Sequence, residues 1–339
     1  MTDSSSTAGP RLIGAGPVGD PAPDQLRDEL ADLVDAVVLP SPGEGATRIR
    51  HRELFDLGRR DLAIGRLMEA HSDALAILHQ AGRGPRRRSL YGVWASGRPG
   101  TGITVAPDGN GHLRLDGTMQ FCTGIGLCDI ALITATDVRE PSHGLLVEVD
   151  LREMERVGTF SGSTEPWKSS AFASTNTGTV QFAGGRLDDD VFVGPPGWYL
   201  GRPGFWHGAI GPAAVWAGGA SGLIADAFER THPSPHVDAH LGALRSIDWE
   251  LRTILDTSAD EIDGDPDDRT GTARPRALIV RHLVERAATE VIDRYGRALG
   301  PAPLALDDSI ARRVSELALF IRMCHAEADL EILAHDGTP

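Results

Sequence analysis

Cysteine is scarce in this chain, with three in 339 residues. Cys122, Cys128 and Cys324 have neither the even count of a disulfide framework nor the spacing of a metal-ligand set, so no staple and no metal is expected. Long apolar runs are lacking too. No uninterrupted stretch reaches the ~20 residues that a bilayer-spanning helix needs, so no membrane partner is expected. Basic residues are outnumbered, 33 against 48 acidic, for a net charge of −15. That balance repels phosphate backbones and anionic lipid, which argues against nucleic acid and membrane surfaces. An anionic cofactor stays compatible, because local arginines and helix N-termini bind anions whatever the net charge. Residues 1–23 have no basic segment leading into an apolar one. They read as a flexible Ser-, Gly- and Pro-rich leader, and the expected compartment is the cytoplasm.

A dinucleotide fingerprint is lacking despite a match to its spelling. Gly14-Ala15-Gly16-Pro17-Val18-Gly19 fits GxGxxG. The chemistry requires a strand before the glycines and a helix opening inside them, so that backbone N–H groups face a pyrophosphate. Only Arg11-Leu12-Ile13 precedes, and Asp20-Pro21-Ala22-Pro23 follows, which cannot continue a helix.

What is present is a globular composition, 41% apolar and 24% charged, long enough for two or three units sharing cores. Apolar residues recur at helical spacing over 24–38 and 53–80. From Leu90 the period changes to short alternating runs split by turns such as Pro107-Asp108-Gly109-Asn110-Gly111. Strands are expected at 102–106, 112–115, 129–136, 144–149, 178–182 and 191–193, in a small barrel or sandwich. Helical spacing returns over 206–230, 234–262, 275–298 and 307–334, the first rich in small residues that let helices approach closely. The expected class is α+β: a short helical domain at 24–89, a β domain at 90–196 and a helical bundle at 197–335.

This order, together with local sequence, resembles the acyl-CoA dehydrogenases, whose fold is a helical N-terminal domain, a middle β-barrel domain and a C-terminal four-helix bundle. Leu115-Asp116-Gly117-Thr118-Met119-Gln120-Phe121-Cys122-Thr123-Gly124 resembles the family's segment beside the flavin. The resemblance implies FAD, with Phe121 packed on the isoalloxazine, Thr123 bonding its N5/O4 edge, and Cys122 and Gly124 in the same segment. It implies that Arg230 reaches FAD phosphate and that the turn Arg297-Ala298-Leu299-Gly300-Pro301 binds the cofactor of a neighbouring subunit. The partner would be a second copy, in a dimer or tetramer, or a related chain. Leu90-Tyr91-Gly92-Val93-Trp94-Ala95-Ser96 occupies the place of the family's substrate loop but lacks its Thr-Glu-Pro.

The family's usual catalytic Glu is missing from its usual place, where this chain has Cys324. That thiol lies on the apolar stripe Ile310, Val314, Leu317, Ile321, Cys324, Ala328, the pattern of a packing residue. A relocated base is expected from the same stretch, Glu327 ahead of His325. Trp94, Ser96, Trp167 and Trp206 are candidates for the substrate pocket; Arg66, Glu69 and His71 form a polar set that the resemblance implies along the pocket wall, with Glu69 and Asp73 also reading as helix-surface charges. The implied activity is Cα–Cβ desaturation of an acyl thioester. Two alternatives stay open: a non-catalytic partner subunit of a mixed complex, and a repurposed fold acting as an oxidase, monooxygenase or cyclase.

Overall fold

Helical periodicity between residues 47 and 80 is interrupted once, at Asp61. In the structure, a computed structural model, this residue is extended (φ −156°, ψ 129°) and its carboxylate accepts from the backbone N–H groups of Ala63 and Ile64. Such a cap opens a new helix. The single helix expected over 53–80 is therefore two, α2 (Thr47–Arg60) and α3 (Leu62–Gln80), after α1 (Pro23–Ala36). The structure describes residues 23–86, 89–95, 102–230 and 234–335. The leader up to residue 22, the glycine motif within it and Ser96 lie outside the described residues.

The alternating segment forms one seven-stranded sheet from β1 (Tyr91–Trp94), β2 (Gly102–Pro107), β3 (Leu113–Cys122), β4 (Ile130–Asp137), β5 (Gly144–Asp150), β6 (Phe160–Ser163) and β7 (Gly178–Leu187). A short helix, α4 (Leu151–Arg156), joins β5 to β6. The strand order is β1-β4-β2-β3-β7-β6, with β5 also on β4. Pairing is parallel where β4 meets β1 and β2 and antiparallel elsewhere. The strand expected at 191–193 is instead the end of a 3-10 turn and an isolated bridge between Val147 and Phe192.

Beyond the sheet come α5 (Trp198–Gly201), α6 (Pro203–Gly208), α7 (Gly211–Arg230), α8 (Pro235–Gly264), α9 (Ala273–Leu299), α10 (Ala302–Leu306), α11 (Asp308–Phe320) and α12 (Glu327–His335). Small residues let α7 touch backbone directly. A Cβ on Gly218 would lie 1.9 Å from the carbonyl oxygen of Phe55 in α2, and one on Gly58 would lie 2.3 Å from that of Val215. The stretch Pro203–Arg230 is, by length and composition, apolar enough to cross a membrane, contrary to the sequence expectation. Most of it is buried, and α2, α8 and α9 pack around α7, so its apolarity serves the core.

The helix expected over 307–334 is broken. After Phe320 come a 3-10 turn (Ile321–Met323), Cys324 in extended conformation, and Ala326 at φ +48° before α12. One apolar core runs from the N-terminal helices through the sheet to the bundle, joined by Trp216, Phe172 and Phe320.

Candidate functional site

Near its end β3 departs from regular register with β7. Gln120 faces Thr179 and Cys122 faces Gly178, so the register shifts at Phe121, which lies between them. A shift of this kind forms a bulge that re-aims a side chain. Phe121 takes φ +61°, rare for a bulky residue, and the residue is 52% exposed. It points into a cavity of about 460 Å³. Phe172 (φ +59°) and Ala326 (φ +48°) are also left-handed, the first beneath the cavity's Arg66 and the second at its closing edge. Backbone strain at Phe121, on the cavity wall, motivates a functional hypothesis for this site.

The cavity is walled by α3, Val93 of β1, the end of β3 with the turn after it, the α5–α7 region, α9, and the segment from Phe320 to α12. Its volume falls within the roughly 300–1,000 Å³ typical of small-molecule sites. Phe121, Phe205, Trp206 and Phe320 give it an aromatic lining, and Val93 and Ile332 add aliphatic surface.

Polar groups occupy fixed places. Arg66 stands between the rings of Phe172 and Phe320, 4.9 and 5.2 Å from their centroids, and donates to the hydroxyl of Thr123 at 2.8 Å. Burial pulls its pKa down to about 10. Glu69, one turn along α3, is pushed up to about 8 by burial and by neighbouring Asp73, so it is mostly protonated at neutral pH. Glu69 and Asp73 lie against Gly211 and Gly208, where a Cβ would come within 2.6 and 2.7 Å of their carboxyl oxygens. Arg202 is buried, stacks on Trp198 and Tyr199, and donates to Gln80. Arg281 donates to the carbonyls of Ala209 and Met323 over the ring of Trp216.

On the closing side, His325 and Asp329 line the cavity. Asp329 is buried; it accepts from the His325 backbone N–H at 3.2 Å and stands 3.4 Å from that imidazole's Nδ1. Because the helix breaks here, His325 reaches the cavity, whereas Glu327 is exposed at the start of α12, outside the lining. Cys324 is buried with its Sγ 3.9 Å from Asp329, and burial raises its pKa. Of the expected catalytic trio, only His325 lines the cavity.

Among the other expected residues, Phe121, Thr123, Arg66 and Trp206 share this cavity. Several neighbours hold it from behind. The buried Trp94 indole donates to the Thr123 carbonyl at 2.9 Å, and Gly124 (φ +89°) turns where a Cβ would strike the Cys128 sulfur at 2.4 Å. Cys122 is buried away from the lining. His71, on the buried face of α3, accepts from the Tyr91 backbone N–H and is lowered by burial to about 4. Trp167 donates to the Ala171 carbonyl outside the lining. Arg230 is held by Asp226 and Asp307, which puts two negative charges where a phosphate was expected. Gly300 (φ +71°) ends α9, also outside the lining.

Arg202, Arg281 and Asp329 were not singled out as cavity residues, and Glu69 and Asp73 were set down mainly as helix-surface charges. One signal was available: Arg66, Glu69 and Asp73 follow each other at steps of three and four, one face of a helix, and the small residues 208–211 offer a surface to receive it.

The sequence matches no protein-family model and no curated protein. Solved structures do match in fold. FMN-bound TdsC from Paenibacillus sp. A11-2, a dibenzothiophene monooxygenase, aligns at TM-score 0.72 and 15% identity over 92% of this chain and 94% of that one. Methanesulfinate monooxygenase MsuC from Pseudomonas fluorescens gives 0.71 and 15% over 92% and 94%. Nitrososynthase from Micromonospora carbonacea var. africana gives 0.72 and 14% over 93% and 94%. At these identities the likeness is one of architecture, and the architecture is the acyl-CoA dehydrogenase-like fold.

Proposed function

We propose that the chain is an FMN-dependent monooxygenase that transfers one atom of O₂ to a small, largely apolar organic substrate. The observation carrying this reading is that the bulged turn of Phe121 and Thr123 meets the helix break at His325 across one aromatic cavity. A flavin ring suits the residues present. Phe121 offers a ring face, and Thr123 with Arg66 offers a polar edge. When bound, reduced FMN supplies the two electrons by which O₂ yields one inserted oxygen atom and one water. Phe205, Trp206 and Phe320 keep water out and give the substrate an apolar wall. His325, with Asp329 at its Nδ1, holds or moves a proton at the closing side.

This reading takes the monooxygenase alternative in preference to thioester desaturation. Desaturation needs a base for the α-proton, and the family's position for it holds the buried Cys324, while Asp329 is engaged by the backbone N–H and imidazole of His325. Glu327, the expected base, stands outside. FMN is preferred to FAD because Arg230 and Arg297, the cations suited to a longer cofactor's phosphates, are paired with Asp226, Asp307 and Asp293. The FMN bound in TdsC, and that protein's name, lend the reading support.

Titration of FMN into the purified protein, followed by quenching of flavin fluorescence, tests it. Saturable binding at one FMN per chain is expected. Phe121→Ala weakens it roughly five- to tenfold, the equivalent of about 1 kcal/mol of ring contact. Absence of quenching, together with no binding of dithionite-reduced FMN, sinks the flavin reading. Anaerobic bleaching of bound FMN by acyl-CoAs would restore the desaturase in its place.

A further inference from the structure

Behind the cavity wall a row of hydroxyl groups leads away from Thr123. Thr123 Oγ1 lies 3.1 Å from Thr177 Oγ1, which lies 2.9 Å from Thr175 Oγ1, which lies 2.9 Å from the Phe172 carbonyl oxygen. At the other end Arg66 Nη2 donates to Thr123 Oγ1 at 2.8 Å. Thr175 and Thr177 are 0% and 1% exposed, so bulk water does not compete for their protons.

Each hydroxyl has one proton to give, a carbonyl only accepts and a guanidinium only donates. One set of proton positions alone makes all four contacts hydrogen bonds. The Phe172 carbonyl must receive the proton of Thr175, so Thr175 accepts that of Thr177, and Thr177 accepts that of Thr123. Every hydroxyl proton then points away from the cavity. Thr123 keeps one lone pair beyond that taken by Arg66, and it can only accept from whatever lies in front of it.

We infer that Thr175 and Thr177 are positioning residues that fix Thr123 as an acceptor toward the cavity, so that the site selects a flavin in its N5-protonated, reduced state. The inference rests on the flavin reading above. Oxidised flavin has a lone pair at N5 and would set acceptor against acceptor, whereas reduced flavin has an N–H there and makes a bond. An unmade polar contact in a closed site costs more than a made one gains, so the preference is one-sided. The three threonines contribute no group that reacts; they set the direction of one hydrogen bond.

The test is the ratio of FMN dissociation constants for the oxidised and dithionite-reduced forms, measured anaerobically by titration calorimetry on the full chain. Reduced FMN is expected to bind at least tenfold more tightly, equivalent to an upward shift of about 30 mV in the two-electron potential of the bound flavin. Thr177→Val frees the Thr123 proton to face the cavity and should shrink the ratio by about tenfold. Thr177→Ser keeps the hydroxyl and should restore it. Equal binding of the two forms, or tighter binding of the oxidised form, overturns this inference and leaves the flavin reading standing. So does a ratio that Thr177→Val leaves unchanged. Failure of both forms to bind removes this inference and the flavin reading together. The wild-type ratio alone decides the matter should the valine variant not fold.

Discussion

Glu69 shows how one side chain can be at odds with the fold that contains it. Burial and Asp73 raise its pKa from 4.5 to about 8, so the folded protein holds a proton there that the unfolded chain has released by neutral pH. With the folded pKa above the unfolded one, stability is fully present below pH 4.5 and drains away as pH rises toward 8. Glu69→Gln removes that slope. The variant's melting temperature should exceed that of the parent at pH 8 and match it near pH 5, read by thermal denaturation across the range. A difference that does not vary with pH would refute the assignment. Residues of this kind were hard to read beforehand. Phe121 and Thr123, singled out by resemblance to a family, line the cavity together with Arg66, Trp206 and His325. A glutamate on a helix looks the same whether its face meets water or another helix, and only the packing of α3 on α6 and α7 separates the cases.

Elements were legible where periodicity is long and illegible where a single residue interrupts it. Asp61 splits a helix by capping it from within, and the Phe121 bulge leaves the alternation of β3 almost intact on paper. The break after Phe320 is similar: the apolar stripe continues through Ile321 and Cys324 although the backbone leaves the helix. What the sequence did convey was the closeness of α7 to its neighbours, through its small residues. Gly218→Ala tests that closeness, since the new methyl would meet the Phe55 carbonyl at 1.9 Å. We expect a loss of about 2 kcal/mol by urea denaturation, overpacking of up to about 3 outweighing about 1 gained in helix propensity. Gly242→Ala on α8 has nothing within 4 Å and should instead stabilise by up to about 1 kcal/mol. Equal effects at the two sites would show that α2 and α7 can move apart freely.

Across the whole molecule, the N-terminal helices are fastened at two sides by buried histidines. His51 in α2 bonds the Leu255 carbonyl of α8, and His71 in α3 accepts from Tyr91 of β1. Burial lowers both to about 4. Because these folded values lie below the unfolded value of 6.5, the histidines' contribution is present above pH 6.5 and lost as pH falls toward 4. Acid should therefore loosen the N-terminal helices from bundle and sheet together. Hydrogen exchange at pH 5 is expected to quicken in α2 and α3 before the centre of the sheet, and uniform exchange would contradict it. At this scale the fold was largely legible, since helix, sheet and helix follow one another in the sequence itself. Which segments meet was not, because contacts between Arg66 and the chain near His325 leave no local trace.

The cavity draws on stretches as distant as α3 and α12. It comes into being only when the last of them has docked, and a half-folded chain has no such receptacle. Any compound that lodges there distinguishes the finished molecule from its precursors and by mass action draws the population toward completion. Supply of that compound during synthesis thus becomes a means of raising the yield of intact protein, separate from whatever turnover the compound later supports.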